Sequence, residues 1–192
     1  DRNVWSDYGV WAPFVERFHD CVNCPIRDTV TFLNRGEIIE RMLDLEYRAL
    51  ANRLEGGGYF YQMGLAYYNM SYFGSAWPVM DNFRSGSSLK RRKSAKDPNV
   101  VIDERFSLGN REHFDCSQAM SYFGMARQFT NNRELAAQAT FMAARCEQNN
   151  FYWKGGTRTY ENFAILKRDY ANTQFYARIV AECKYFQFYA SR

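Results

Sequence analysis

A chain of 192 residues is one domain of ordinary size, long enough to bury a real core. Its 25 basic and 21 acidic side chains leave a net charge of +4, too mild a surplus to imply a nucleic acid or a membrane surface as partner. No uninterrupted apolar run approaches the roughly 18 residues of a spanning helix, and no charged-then-apolar leader opens the chain. The first residue is Asp1 rather than Met, which predicts a mature, trimmed or fragmentary chain. Aromatics make up 18% of the residues, with 16 Phe and 14 Tyr. Such side chains bury large areas while Tyr keeps a polar tip for a wet edge, a mixture that suits packed helices with a groove.

Residues 1–33 are the least regular part and are expected to pack on the helices as an irregular N-terminal segment. Trp5, Tyr8, Trp11, Phe14 and Phe18 follow one another at three or four residues, which predicts a short amphipathic helix over about 10–18. It should end before HDCVNCP, where Pro25 cannot continue a helix. A second helix is predicted over 36–54, with Asn34 as N-cap, Glu37 in its first turn and Gly56-Gly57-Gly58 closing it. Ile38, Met42, Leu45 and Ala49 form its buried stripe, and Glu40, Arg41, Asp44 and Arg48 face water. The three glycines are expected to reverse the chain through their freedom of dihedrals.

The stretch over 58–83, GYFYQMGLAYYNMSYFGSAWPVMDNF, predicts two apolar helices joined by a short turn, with Ser75 capping the second and Pro78 near its start. Gly64 inside a helix costs roughly 1 kcal/mol relative to Ala, so it marks a place where a neighbouring helix crosses too closely for a side chain. Residues 84–112 carry Gly, Ser, Asp-Pro and a basic run but little period, and predict a long polar loop. Ala119, Phe123 and Ala126 mark a further helix. Asn131 and Asn132 cap one over about 133–148, with Ala136, Ala139, Ala143 and Cys146 on its close-packing side. A helix over 160–170 turns Phe163 and Leu166 inward, and a last one starts at Asn172-Thr173 with Tyr176, Ile179, Val180, Cys183 and Phe186 on one stripe.

Counted from Gly64, aromatics stand three and nine residues on (Tyr67, Phe73), Ala76 twelve on, Met80 sixteen on and Phe83 nineteen on. This spacing resembles the tetratricopeptide repeat, in which small residues let the two helices of a hairpin cross and large ones fill the surroundings. Phe83 stands where that repeat usually has Ala. Ala119, Phe123 and Ala126 echo the second helix of a repeat, and Ala143, Cys146 and Tyr152 the first helix of another. MSYFG occurs at 70–74 and 120–124, but the copies fall at different places in the repeat register and read as coincidence. The resemblance implies an all-α fold of antiparallel helical hairpins stacked as a short solenoid over 34–192, interrupted by the loop at 84–112. It also implies that the first helices line a concave groove, with Tyr61, Leu65, Tyr68 and Asn69 on one and Thr140, Glu147 and Gln148 on another contacting a protein or peptide ligand. Tyr and Asn there would supply aromatic area and adaptable hydrogen bonds; the competing reading has the N-terminal segment or the long loop covering these positions.

Chemistry is sparse. His19, Cys21 and Cys24 offer three soft ligands, with His113 or Cys116 as a fourth, but zinc sites usually show a second close ligand pair. Cys21 and Cys24 suit a local disulfide, if the compartment is oxidising, or free thiols, and Cys116, Cys146 and Cys183 read as small core residues. Lys90, Arg91, Arg92, Lys93 and Lys96 could give a salt-dependent attraction for phosphate or acidic lipid, or simply a solvated loop. No nucleophile elbow, metalloprotease helix or phosphate-cradling loop is present, so no enzyme and no cofactor is expected. The expected function is a non-catalytic scaffold that binds another protein or peptide within a multi-subunit assembly, with nucleic acid an unlikely partner. Anion binding through the basic loop, or a zinc-stabilised accessory domain, stands as the alternative. A compositional similarity to helical-repeat lipoproteins of bacterial envelopes points to an extracytoplasmic site.

Overall fold

The computed structural model describes residues 9–16, 31–80 and 113–191. Among the described residues seven α-helices carry the fold: α1 Arg35–Ala51, α2 Gly57–Met70, α3 Ser117–Gln128, α4 Arg133–Lys154, α5 Glu161–Asp169, α6 Gln174–Glu182 and α7 Lys184–Ala190. Among the described residues there is no strand; one isolated antiparallel bridge joins Trp11 to Leu33. Helices pack in adjacent pairs along the chain, α1 on α2, α2 on α3, α3 on α4 and α4 on α5, while α6 rests on α4 and α7. The result is an all-α stack. No described helix is long and apolar enough to cross a membrane.

Local chemistry sets the helix starts. Asn34 and Glu37 form a reciprocal capping box at α1, the Asn34 side chain accepting from the Glu37 amide and the Glu37 carboxylate from the Asn34 amide. Asn132 caps α4 by accepting from the Glu134 and Leu135 amides, and Thr173 caps α6 through the Tyr176 amide. Gly155, at φ 72°, ends α4 in a conformation that side chains avoid. α4 thus runs six residues beyond the expected Gln148, to Lys154.

α2 occupies the interior, and glycine seats it there. A Cβ on Gly64 would lie 2.6 Å from Cε1 of Phe123 on α3, and one on Gly57 would lie 2.6 Å from Cβ of Thr130 just beyond α3. The two glycines are seven residues apart, about two turns, so they share one face of α2 and let it lie against α3 along its length. The Gly57 amide also donates to the Phe129 carbonyl at 2.9 Å. The seam replaces the expected role of the glycine triplet: none of Gly56, Gly57 and Gly58 has a positive φ. Close approach, rather than a left-handed turn, requires glycine at 57.

Three expected elements take other forms. Over the described residues 75–80 no α-helix forms: Ser71 is extended at the end of α2, the chain doubles back so that the Ala76 amide donates to the Asn69 carbonyl, and a 3-10 turn forms at Trp77–Val79. Residues 71–80 are therefore not the helical hairpin partner expected for α2. Residues 9–16 are not helical either; Trp11 and Leu33 exchange two 2.8 Å backbone bonds, with Arg35 over the Trp11 ring and Arg41 over Phe14. The last helix breaks at Cys183, where φ −103° and ψ 97° separate α6 from α7. Phe163, Leu166, Ile179 and Phe186 are buried as their spacing predicts.

A Gly64→Ala substitution gains helix propensity yet drives a methyl into Phe123, and it should lower stability by about 2 kcal/mol. Gly58→Ala, whose Cβ meets nothing within 4 Å, should raise it by about 0.5–1 kcal/mol. Chemical denaturation of both variants checks the pair of signs.

Candidate functional site

The groove positions implied by the repeat resemblance lie inside the packing. Tyr61, Leu65, Tyr68, Asn69, Thr140 and Gln148 are all buried, and Glu147 is half-buried. Their polar atoms serve the fold. Asn69 Nδ2 donates to the carbonyls of Pro13 (2.7 Å) and Val15 (2.9 Å), so the N-terminal segment lies over this part of α2. Thr140 Oγ1 donates to the Ala136 carbonyl one turn back. The Glu147 carboxylate accepts from the amides of Glu161 and Asn162 and caps α5 from outside that helix. Gln148 Nε2 donates to the Thr159 carbonyl, and its Oε1 accepts from Arg158 Nε at 2.7 Å and from the Tyr185 hydroxyl at 3.1 Å.

An open cavity of about 280 Å³ lies beside these residues, where the second half of α4 meets the end of α2 and the α6–α7 break. Arg145, Asn149 and Tyr152 project into it from α4 at spacings of four and three, one helix face. Tyr68 closes one side, and Cys183 and Tyr185 the other. The Arg145 guanidinium sits 5.0 Å over the Tyr68 ring, and Asn149 Nδ2 donates to the Tyr68 hydroxyl at 3.3 Å. Burial pushes the Tyr68 phenol up to about 12, and burial likewise pushes Tyr185 up to about 12 against the opposing pull of Arg158, so both are hydroxyl donors at neutral pH. Tyr152 and Tyr185 expose 37% and 41% of their surface, leaving ring area for a ligand.

Arg158 holds the rim. Its guanidinium lies between 5.0 and 5.7 Å from the rings of Phe151, Tyr152, Tyr160 and Tyr185, and it also donates to the Tyr152 and Tyr185 hydroxyls. A second cavity of about 420 Å³, lined by Arg158, Tyr160, Lys167, Phe188 and Tyr189, shares Tyr185 with the first.

Within the strap over 9–16, Glu16 meets Tyr61. Burial raises the Glu16 carboxyl to about 7, against the lowering pull of the Tyr61 hydroxyl, Arg178 and Arg145. Neither Oε1 of Glu16 nor the Tyr61 hydroxyl reaches a partner in hydrogen-bonding geometry, and both are buried. Burial also holds the Tyr61 phenol well above its ordinary range.

Cys116 and Cys146 are buried free thiols, as expected; Cys183 is half-buried, packing on the edge of the core and lining the cavity. Burial pushes the Cys146 thiol up, which suits an inert core residue. His19, Cys21 and Cys24, and the basic run Lys90, Arg91, Arg92, Lys93 and Lys96, lie outside the described residues. Among the described residues no three metal-ligating side chains come together. Sequence reasoning missed Arg145, Asn149, Tyr152, Arg158 and Tyr185 as a set. The first three were within reach as one face of α4, whereas Tyr185 joins them only through the break at Cys183. No family model matches the chain, and neither a curated protein nor a solved structure matches it.

Glu16 makes stability depend on pH in a definite sense. The folded chain keeps this proton up to about 7 while the ordinary value is 4.5, so its contribution is complete below about 4.5 and is lost as pH rises through about 7. Thermal or chemical unfolding between pH 4.5 and 8 should show a fall of roughly 2–3 kcal/mol from this group, and Glu16→Gln should remove that fall.

Proposed function

We propose that the chain is a non-catalytic helical-repeat module, divergent from the tetratricopeptide pattern, that binds a segment of another protein within a larger assembly. The observation that carries this reading is the cavity between α4, the end of α2 and the α6–α7 break, with half-exposed Tyr152 and Tyr185 beside Asn149 and Arg145. Tyrosine supplies large contact area at low conformational cost and amides supply adaptable hydrogen bonds, a combination suited to peptide side chains. At about 280 Å³ the cavity fits anchoring side chains better than a cofactor-sized ligand. The repeat character rests on helices packed in adjacent pairs and on small residues at their crossings, Gly64 against Phe123 above all.

The groove shares Tyr68 and Gln148 with the positions the repeat pattern implies and adds Arg145, Asn149, Tyr152 and Tyr185. Tyr61 and Thr140 are interior, while Tyr152, Asn149 and Tyr185 do the contacting. Selection of a phage-displayed random peptide library on the immobilised chain tests this. Peptides should be enriched, and Tyr152→Ala should weaken their binding at least about tenfold while lowering the unfolding midpoint less than Tyr61→Ala does. Tyr61→Ala, by contrast, should cost about 3 kcal/mol of stability. Absence of enrichment, or binding that ignores Tyr152→Ala and Tyr185→Ala alike, would overturn the reading.

A further inference from the structure

The second cavity carries positive charge that no carboxylate among the described residues pairs with. Arg158, before α5, and Lys167, on α5, line it together with Tyr160, Tyr185 and Tyr189. Every hydrogen bond of the two cations ends on a neutral oxygen. Arg158 Nε donates to the Gln148 carboxamide, and one terminal nitrogen of its guanidinium donates to the Tyr152 and Tyr185 hydroxyls. Lys167 Nζ donates to the Ala190 carbonyl at 2.9 Å. The other terminal nitrogen of Arg158 and the further ammonium hydrogens of Lys167 meet no acceptor among the described residues.

The other charges around the cavity are paired or turned away. Glu147 acts on the Tyr189 phenol from α4, but both its oxygens accept from Thr159, Asn162 and the first amides of α5. Arg168 pairs with Asp169, and Lys154 with Asp115. Glu161 stands six residues before Lys167 on α5, about 120° away around the helix axis, and does not line the cavity. Glu182 and Lys184 flank the break at Cys183 with opposite charges, and neither lines the cavity. Arg158 and Lys167 are left as the cations a ligand meets.

Their remaining donors define that ligand. One guanidinium nitrogen and one ammonium match the two oxygens of a single carboxylate. A phosphate, with about twice the charge and three acceptor oxygens, asks for more than these two cations supply. The tyrosine rings give apolar contact to a short aliphatic stem. Tyr185 borders both cavities, so neighbouring residues of one bound segment fall to each. In the first cavity Arg145 already lies over the Tyr68 ring and acts on the Glu16 carboxyl. We propose, on the premise that the chain binds a protein segment, that the second cavity takes the side-chain carboxylate of a Glu or Asp in that segment, with Arg158 and Lys167 as its donors.

Peptides enriched on the immobilised chain test this when they are resynthesised, amidated at the C-terminus, with each Glu or Asp either kept or replaced by its amide. They should be richer in acidic residues than the starting library, and in titration calorimetry with the full chain the amide replacement should weaken binding at least about tenfold. Lys167→Gln, at an exposed position, should weaken the acidic form by a similar factor and leave the amide form unchanged, and Lys167→Arg should restore the difference. Added salt should weaken the acidic form more than the amide form. Enrichment without acidic preference overturns the proposal and leaves the peptide-binding reading standing. A preference for acid that Lys167→Gln leaves intact, or a Lys167→Gln chain that binds both forms equally worse, does the same. Absence of any enriched peptide overturns both.

Discussion

The structure depends on one close approach, that of α2 to α3. Gly57 and Gly64 remove the side chains that would hold the two helices apart, and the Phe123 ring fills the space in front of Gly64. With the backbone this near, α2 is surrounded: α1 covers one flank, α3 the other, and the strap over 9–16 lies across Asn69. Phe60, Tyr61, Met63, Leu65, Ala66, Tyr68 and Met70 are buried in consequence, on almost every side of the helix. A helix apolar all round is an interior helix. That single fact turns Tyr61 from a ligand contact into core and leaves Tyr68 only an edge on the cavity.

α4 organises the second half by a different device. Two of its carboxylates cap later helices, Glu134 accepting from the Gln174 and Phe175 amides at the start of α6, and Glu147 accepting from the Glu161 and Asn162 amides at the start of α5. Each places negative charge at a helix N-terminus, where the unpaired amides and the helix dipole favour it. Arg133 adds bonds to the Asp169 carbonyl and the Asn172 side chain. Residues spent in this way hold α5 and α6 in place. The neighbouring face, Arg145, Asn149 and Tyr152, is what remains beside the cavity.

Periodicity and capping chemistry made most helices legible. The stripe Ile38, Met42, Leu45 and Ala49 and the caps at Asn34, Asn132 and Thr173 are local signals, and the structure uses them as read. Gly64 announced a close crossing because its helical cost needs a compensating contact, which Phe123 supplies. The segment after Ser71 misled because its apolar residues suit either a helix or a folded-back turn. Tertiary bonding decides between them: Ala76 to Asn69, Tyr72 to the His113 carbonyl, and Arg35 to the Pro78 carbonyl are contacts that no local pattern displays. The same limit applies to the site. Tyr68 and Gln148 do border the cavity, but Glu147 is committed to α5 and Tyr61 is buried against the Phe123 ring of α3, both by partners distant in sequence.

α1, the cavity beside α4 and the strap over α2 all hang on the α2–α3 seam. If that seam is the centre of the fold, its amides open last. Native-state hydrogen exchange resolved to individual helices tests this most directly. Amides of α2 and α3 should share the slowest exchange and match the free energy of global unfolding, while those of α1, α6 and α7 exchange through smaller openings. An α2 that exchanges as fast as α1 while α4 and α5 remain protected would contradict the account.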